Sequence, residues 1–167
     1  MDAFEKLAPV ADHYSSLPVG EAFDWQPVAK ALEPGEWYMV AFRSILRVYA
    51  DEATLTRYDD WAHQEAMAAP GFVHYYKGPM AADRSCLSFC IWDSRAEARA
   101  AAARPAHRDA VALITEMYEA YFLEFLRVRK RDTDSALEFE AYDAPAEASP
   151  APLHPRHVQL GLSPSPS

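Results

Sequence analysis

The sequence predicts an α+β domain of the ferredoxin-like kind, four antiparallel strands backed by helices, and three observations predict it. Between residues 34 and 132, aromatic and β-branched runs alternate with amphipathic stretches in the order strand, helix, strand, strand, helix, strand, which is the split β-α-β-β-α-β arrangement. The second and third strands are separated by only a short turn, so they pair as a hairpin. The strands are apolar on both alternating faces, so the sheet face turned away from the helices is expected to be buried as well.

Each element has a local reason. Residues 37–50, "WYMVAFRSILRVYA", contain no breaker and are rich in residues that suit a pleated surface, which predicts a long first strand. Asp51 is placed to cap a helix in which Leu55, Tyr58, Ala62, Ala66 and Ala69 recur at helical spacing, and Pro70-Gly71 stops it. "FVHYYKG", 72–78, and "SCLSFCIW", 85–92, are the hairpin strands. Ser94-Arg95-Ala96-Glu97 has the capping-box form and opens an alanine-rich helix. Pro105 cannot sit inside that helix but suits the first turn of a new one, whose stripe is His107, Val111, Ile114, Tyr118 and Tyr121. "FLEFLRVRKR", 122–131, closes the pattern as the fourth strand.

The flanks differ from this body. Residues 1–33 hold six acidic side chains against two basic and form an arm whose Phe23 and Trp25 are too large to leave in water, so it packs on the body. Residues 133–167 hold five acidic side chains, one basic and six prolines, and read as a Pro/Ser-rich tail, largely extended or disordered, although "LEFEAY" and "HVQLGL" keep apolar residues that can lie across the domain. The net charge of −9 therefore belongs to the ends, while residues 34–132 are nearly neutral. No basic stripe is available to neutralise phosphates, which argues against nucleic acid and anionic membrane surfaces as partners. The N-terminus lacks a signal-peptide pattern, no apolar run approaches a membrane span, and two cysteines make no disulfide framework, so a cytoplasmic protein is expected.

A second apolar sheet face is covered most economically by a second copy of the chain, and two sheets so opposed make a barrel. The expected assembly is accordingly a homodimer with a cavity in each half for an apolar or aromatic small molecule. Three stretches, "EWYMVAFRS", "APGFVHYYKGP" and "LSFCIWDSRAEARAAAARPAHRDAV", give residues 37–131 a resemblance to the dimeric α+β barrel superfamily, and especially to the antibiotic-biosynthesis-monooxygenase-like proteins. The resemblance implies an enzyme of the cofactor-independent monooxygenase kind or an isomerase. It also brings in haem-binding and haem-degrading members, for which His74, His63 or His107 would be the axial ligand, and proteins with no known reaction that serve binding or assembly. The oxygenases of that group use tryptophan and asparagine near substrate, and this chain contains no asparagine.

Within that frame the candidate site residues are few. His74, mid-strand among aromatics, is the acid/base candidate, with Tyr76 and Ser88 to orient a substrate by hydrogen bonds. Tyr38, Arg43, Trp92 and His107 are candidates for ligand contact, Arg43 requiring a carboxylate such as Glu124 or an anionic ligand if it is buried. His63, with Asp59 a turn before it, is assigned to the solvated side of its helix, and Trp37, Trp61 and Trp92 to the core or a pocket wall. Cys86 and Cys90 lie about 13 Å apart along one strand, beyond the roughly 7 Å that a disulfide spans. They read as packing residues, and no metal site is expected.

Overall fold

In the computed structural model, which describes residues 3–143 and Val158–Gln159, the chain opens with an irregular arm: a 3₁₀ turn at Tyr14–Ser16, then α1 (Val19–Ala22) and α2 (Gln26–Ala31). The first long strand, β1 (Gly35–Leu46), leads through an exposed turn to α3 (Glu52–Met67) and then to the hairpin of β2 (Phe72–Tyr76) and β3 (Ser85–Trp92). Helices α4 (Arg95–Ala102), α5 (Pro105–Ala112) and the single turn α6 (Ile114–Met117) carry the chain to β4 (Tyr118–Lys130), β5 (Glu138–Ala141) and the two-residue β6 (Val158–Gln159). The sheet is antiparallel throughout, in the order β2-β3-β1-β4-β5, with β6 also pairing with β4. Its first four strands have the ferredoxin-like order that the element sequence predicts.

The local signals act as their chemistry requires. The Asp51 carboxylate accepts from the Thr54 N–H at 3.1 Å and from its hydroxyl at 2.7 Å, which fixes the start of α3. Gly71, at φ +74, lets the chain leave α3 into β2, and a side chain there would run into the Glu97 carboxylate. The Ser94 hydroxyl accepts from the Glu97 N–H at 3.3 Å and donates to the Glu97 carboxylate at 2.9 Å, so the box closes side chain to side chain.

Four expectations are corrected. The first strand ends at Leu46 rather than 50, and Val48 and Tyr49 stand in the turn, 81% and 78% exposed. The last helix stops at Met117, so Tyr118 and Tyr121 belong to the strand. β1 is long enough to pair with this whole aromatic run, Leu46 opposite Tyr118 and Ser44 opposite Tyr121, which overrides the helical spacing. The sheet has a fifth strand, β5, inside the stretch assigned to the tail, where Phe139 packs on Trp25 with ring centres 4.9 Å apart. The remainder of the expected tail, 144–157 and 160–167, lies outside the described residues.

The fourth correction concerns the second sheet face. Met39, Ala41, Leu87, Phe89, Ile91, Leu126 and Val128 form it, and the chain's own arm covers it with Phe4, Leu7, Tyr14, Val19, Phe23, Trp25 and Val28. Those residues make the larger core of the molecule, so the cover ascribed to a second copy is intramolecular. Two cations, Arg43 partly buried and Lys130 buried, pin the arm down. The Arg43 guanidinium pairs with Glu124 and donates to the carbonyls of Ser15 and Leu17, the latter at 2.7 Å. The Lys130 ammonium, 2% exposed, donates at 2.6 Å to the carbonyls of Ala29 and Leu32 at the end of α2.

Candidate functional site

The other sheet face is aromatic and the helices above it are lined with alanine, and that mismatch makes a cavity. Register places Tyr38, Val40, Phe42 and Ser44 of β1 opposite Trp92, Cys90, Ser88 and Cys86 of β3, and opposite Tyr121, Leu123 and Phe125 of β4 at the matching positions. Above them stand Ala62 and Ala66 of α3, Ala98, Ala101 and Ala102 of α4, and Ala110 of α5. Ala98 and Ala101 of α4 pack on Tyr38 and Trp92 at one end of the sheet, whereas neither α3 nor α5 has a fully buried residue. A cavity of about 600 Å³ remains between the layers, within the usual range for small-molecule sites.

Polar groups interrupt the apolar wall at three places. At one, Tyr75 donates its phenol to Asp59 at 2.8 Å, and Lys77 pairs with the same carboxylate at 3.2 Å. The ring of His63 leans on Tyr75 with centres 4.9 Å apart. Tyr118 and Tyr121, ring centres 5.3 Å apart, lie nearby. Burial pushes the Tyr118 phenol up to about 12 and those of Tyr75 and Tyr121 upward too, with the Asp59 charge adding to each. All three are therefore protonated; the Tyr75 proton is committed to Asp59, and Tyr118 and Tyr121 are the hydroxyls that can donate to a ligand. At the second place His107 faces the cavity from the first turn of α5, its backbone N–H held by the Glu65 carboxylate at 3.2 Å. Burial lowers its pKa, with Glu65 opposing, so the imidazole is neutral at pH 7. At the third, Tyr38 meets Arg95 and Arg99 of α4.

Of the residues named from sequence, the structure gathers Tyr38, Ser88, Trp92 and His107 at this cavity and places Arg43, His74 and Tyr76 on the opposite face. Strand alternation and an irregularity in β2 between Phe72 and His74 decide the split, putting Tyr75 with Cys90 on the cavity side and His74 with Ile91 on the arm side. There His74 stacks on Phe4, ring centres 4.4 Å apart at 10°, Tyr76 stacks on Phe89 at 5.2 Å, and Arg43 holds the arm. His74, the expected acid/base, therefore lies on the sheet face away from this cavity. His63, expected on the solvated side, lines the cavity, whereas Trp61 is 53% exposed instead of forming core or wall. Ser88 accepts the Gly78 N–H at 3.1 Å, Cys86 donates to the Gly78 carbonyl at 3.1 Å, and Cys90 accepts from the Trp92 indole at 3.1 Å.

Asp59 and Tyr75 carry no motif, but Asp59 and His63 are one turn apart on α3 and so share a face. The run of alanines in α4, with Ala62 and Ala66 of α3, was the available signal that the helices fill little of the space above the sheet.

Fold and cavity together define an α+β protein with a cleft of about 600 Å³ between its sheet and its helices. A family profile described as PB2B2.08-like matches residues 1–141, and the chain belongs to that family. The match includes the arm and β5 as well as the body. Among solved structures, similarity extends to SnoaB, a cofactor-independent oxygenase from Streptomyces nogalater, at 17% identity and TM-score 0.45 over 60% of this chain and 97% of that one. Rv0793 from Mycobacterium tuberculosis is 18% identical with TM-score 0.48 over 59% and 99%. SO0527 from Shewanella oneidensis is 11% identical with TM-score 0.49 over 57% and 94%. No curated protein matches the chain. Among the described residues no helix is long and apolar enough to cross a membrane.

Proposed function

We propose that this protein binds an aromatic small molecule in the cleft between α3–α5 and the sheet, and that His107 with the Asp59–Tyr75 pair handles a proton of that molecule. The cavity of about 600 Å³ between an aromatic floor and an alanine roof carries the reading. His107 supplies a neutral imidazole, a competent base near neutral pH, and no side-chain hydrogen bond among the described residues occupies its ring. The tyrosine hydroxyls supply donors for a developing oxyanion. Removal of a proton from a phenol or enol is the step that cofactor-free oxygenation and isomerisation share, and it requires nothing beyond these groups. SnoaB, a cofactor-independent oxygenase, supports this choice of reaction class by analogy only. A homodimer is compatible with the reading in a form that leaves the arm seated, which leaves a second copy the edges of β2 and β5 and the helix side.

The test is a fluorescence titration with 9-anthracenemethanol, a neutral tricyclic probe, against the full chain and against Ala62→Trp, which fills the cleft from the roof. Saturable binding that drops at least tenfold in the variant, with the thermal midpoint unchanged or raised, is expected. Equal binding by both proteins removes the cleft as the site. Oxygen uptake with a polycyclic phenol, compared between the wild type and His107→Gln, tests the proton step. For haem, His107 and His63 are the histidines at the cavity while His74 is not, and the absence of a Soret band after adding haemin would dismiss that alternative.

A further inference from the structure

We infer that the ligand of this cleft carries an anionic group, of the carboxylate class, which docks between Arg95 and Arg99 at the Tyr38 end. The inference rests on the cleft reading above and adds the chemistry of one end of the ligand. Among the charged side chains that line the cavity, most are already matched. Lys77 pairs with Asp59 at 3.2 Å. Arg84 donates to the Leu46 carbonyl at 2.7 Å and lies 3.6 Å from Glu119. Glu65 accepts the His107 N–H, and Glu52 lies at the start of α3 in the turn's vicinity.

The two arginines of α4 are different. They stand four residues apart on one helix face, so their guanidinium groups reach the same region. Arg95 lies over the Tyr142 ring at 4.9 Å, and its nearest carboxylate is that of Asp143 at 3.8 Å, an exposed side chain. Its Nε is buried and has no hydrogen-bond partner. Arg99 is at the mouth, lining the cavity while exposed to solvent; its carbonyl accepts the Ala103 N–H, but no hydrogen bond or ion pair ties its guanidinium to any described residue. Between them and the sheet lies the buried phenol of Tyr38, 5% exposed, ring-packed on Tyr142 with centres 4.9 Å apart.

The Arg95 side chain is 35% exposed overall, so its guanidinium can turn toward an anion in the cleft, which would give the sealed Nε the acceptor it lacks. Tyr38 adds a neutral hydroxyl that stays protonated, since burial raises its pKa more than Arg95 and Arg99 lower it. Two cations and a phenol donor at one end of an aromatic slot, with Asp59, Tyr118 and Tyr121 elsewhere along it, suit a flat molecule with a carboxylate at one end and a hydroxyl at the other. The charge pattern also excludes a cation at the Tyr38 end.

The experiment compares two probes of the same shape, 9-anthracenecarboxylate and 9-anthracenemethanol, titrated by fluorescence into the full-length wild type, Arg99→Gln and the double variant Arg95→Gln/Arg99→Gln. The expected result is at least tenfold tighter binding of the carboxylate by the wild type. That preference should fall in Arg99→Gln and vanish in the double variant, while affinity for the alcohol changes less than twofold. Equal affinity for both probes in the wild type, or a preference that survives the double variant, overturns the anionic subsite and leaves the aromatic cleft standing. Failure of the wild type to bind either probe overturns the cleft reading and this inference with it.

Discussion

Replacing Phe23 by alanine tests whether the arm is half of the core or a loosely seated strap. Phe23 is 3% exposed and its ring touches four others, Tyr14, Trp25, Tyr76 and Phe89, at centre distances of 5.0 to 5.7 Å. Truncating a buried phenylalanine costs about 3–5 kcal/mol, because the transfer free energy is lost and the surrounding rings cannot collapse into the space. Edge-to-face geometry of the kind seen with Tyr76 and Phe89, both at 72°, places the cost toward the upper part of that range. Against a total stability of about 5–15 kcal/mol, a cost of about 4 kcal/mol is a quarter or more. With a urea slope of about 2 kcal/mol/M, the midpoint should fall by roughly 2 M. Tryptophan fluorescence, which includes Trp25, and far-UV circular dichroism should report the same single transition before and after the change. A midpoint shift below about 0.5 M, or a fluorescence transition that precedes the loss of secondary structure in the wild type, would refute the reasoning by showing that the arm undocks while the sheet persists.

Three other outcomes are expected. Burial pushes the Cys90 thiol up to about 11, so iodoacetamide at pH 8 should leave it unmodified in the native protein and label it after unfolding, as read by mass spectrometry; equal rates in both states would contradict its place beneath the helices. Because the His107 pKa is depressed in the folded state, the unfolded chain takes up a proton that the folded one resists. Stability should therefore be full above about pH 6.5 and decline as pH falls below it, and His107→Phe should flatten that part of the profile measured by urea unfolding. Removing residues 1–33 bares the apolar face made by Met39, Phe89 and Ile91, and light scattering should show self-association of the truncated chain beyond that of the full one; identical masses would mean that the face does not need its cover.

The strand and helix order was legible because it depends on short-range signals that the structure uses unchanged: the Asp51 cap, Pro70-Gly71, the Ser94 box and Pro105. The boundary at Tyr118 was not, since "MYEAYF" fits both a helical stripe and a strand, and only the length of β1 decides between them. The site was half legible. That Cys86, Ser88, Cys90 and Trp92 share one face, and that Glu124 partners Arg43, follow from alternation and charge. Which face lines a cavity could not follow, because both alternating sets are apolar, and the answer lies in what covers each one. Large aromatics in the arm fill one side to solidity, and alanines in the helices leave the other hollow. His74 was therefore assigned to the wrong side although its chemistry suited the task, and Asp59 was passed over as a surface charge.

The clamp at Lys130 also sets a clock. Its ammonium closes on the carbonyl of Ala29, 101 residues earlier in the chain, and Tyr14 must wait 65 residues for Pro79. During synthesis at about 5–20 residues per second, the arm emerges about 5–20 s before the strand that secures it has been made. Until Leu126 and Val128 have been made, the sheet face on which Phe4, Leu7, Phe23 and Trp25 settle is incomplete, so the nascent protein has its greatest need of a chaperone while its arm waits for β4.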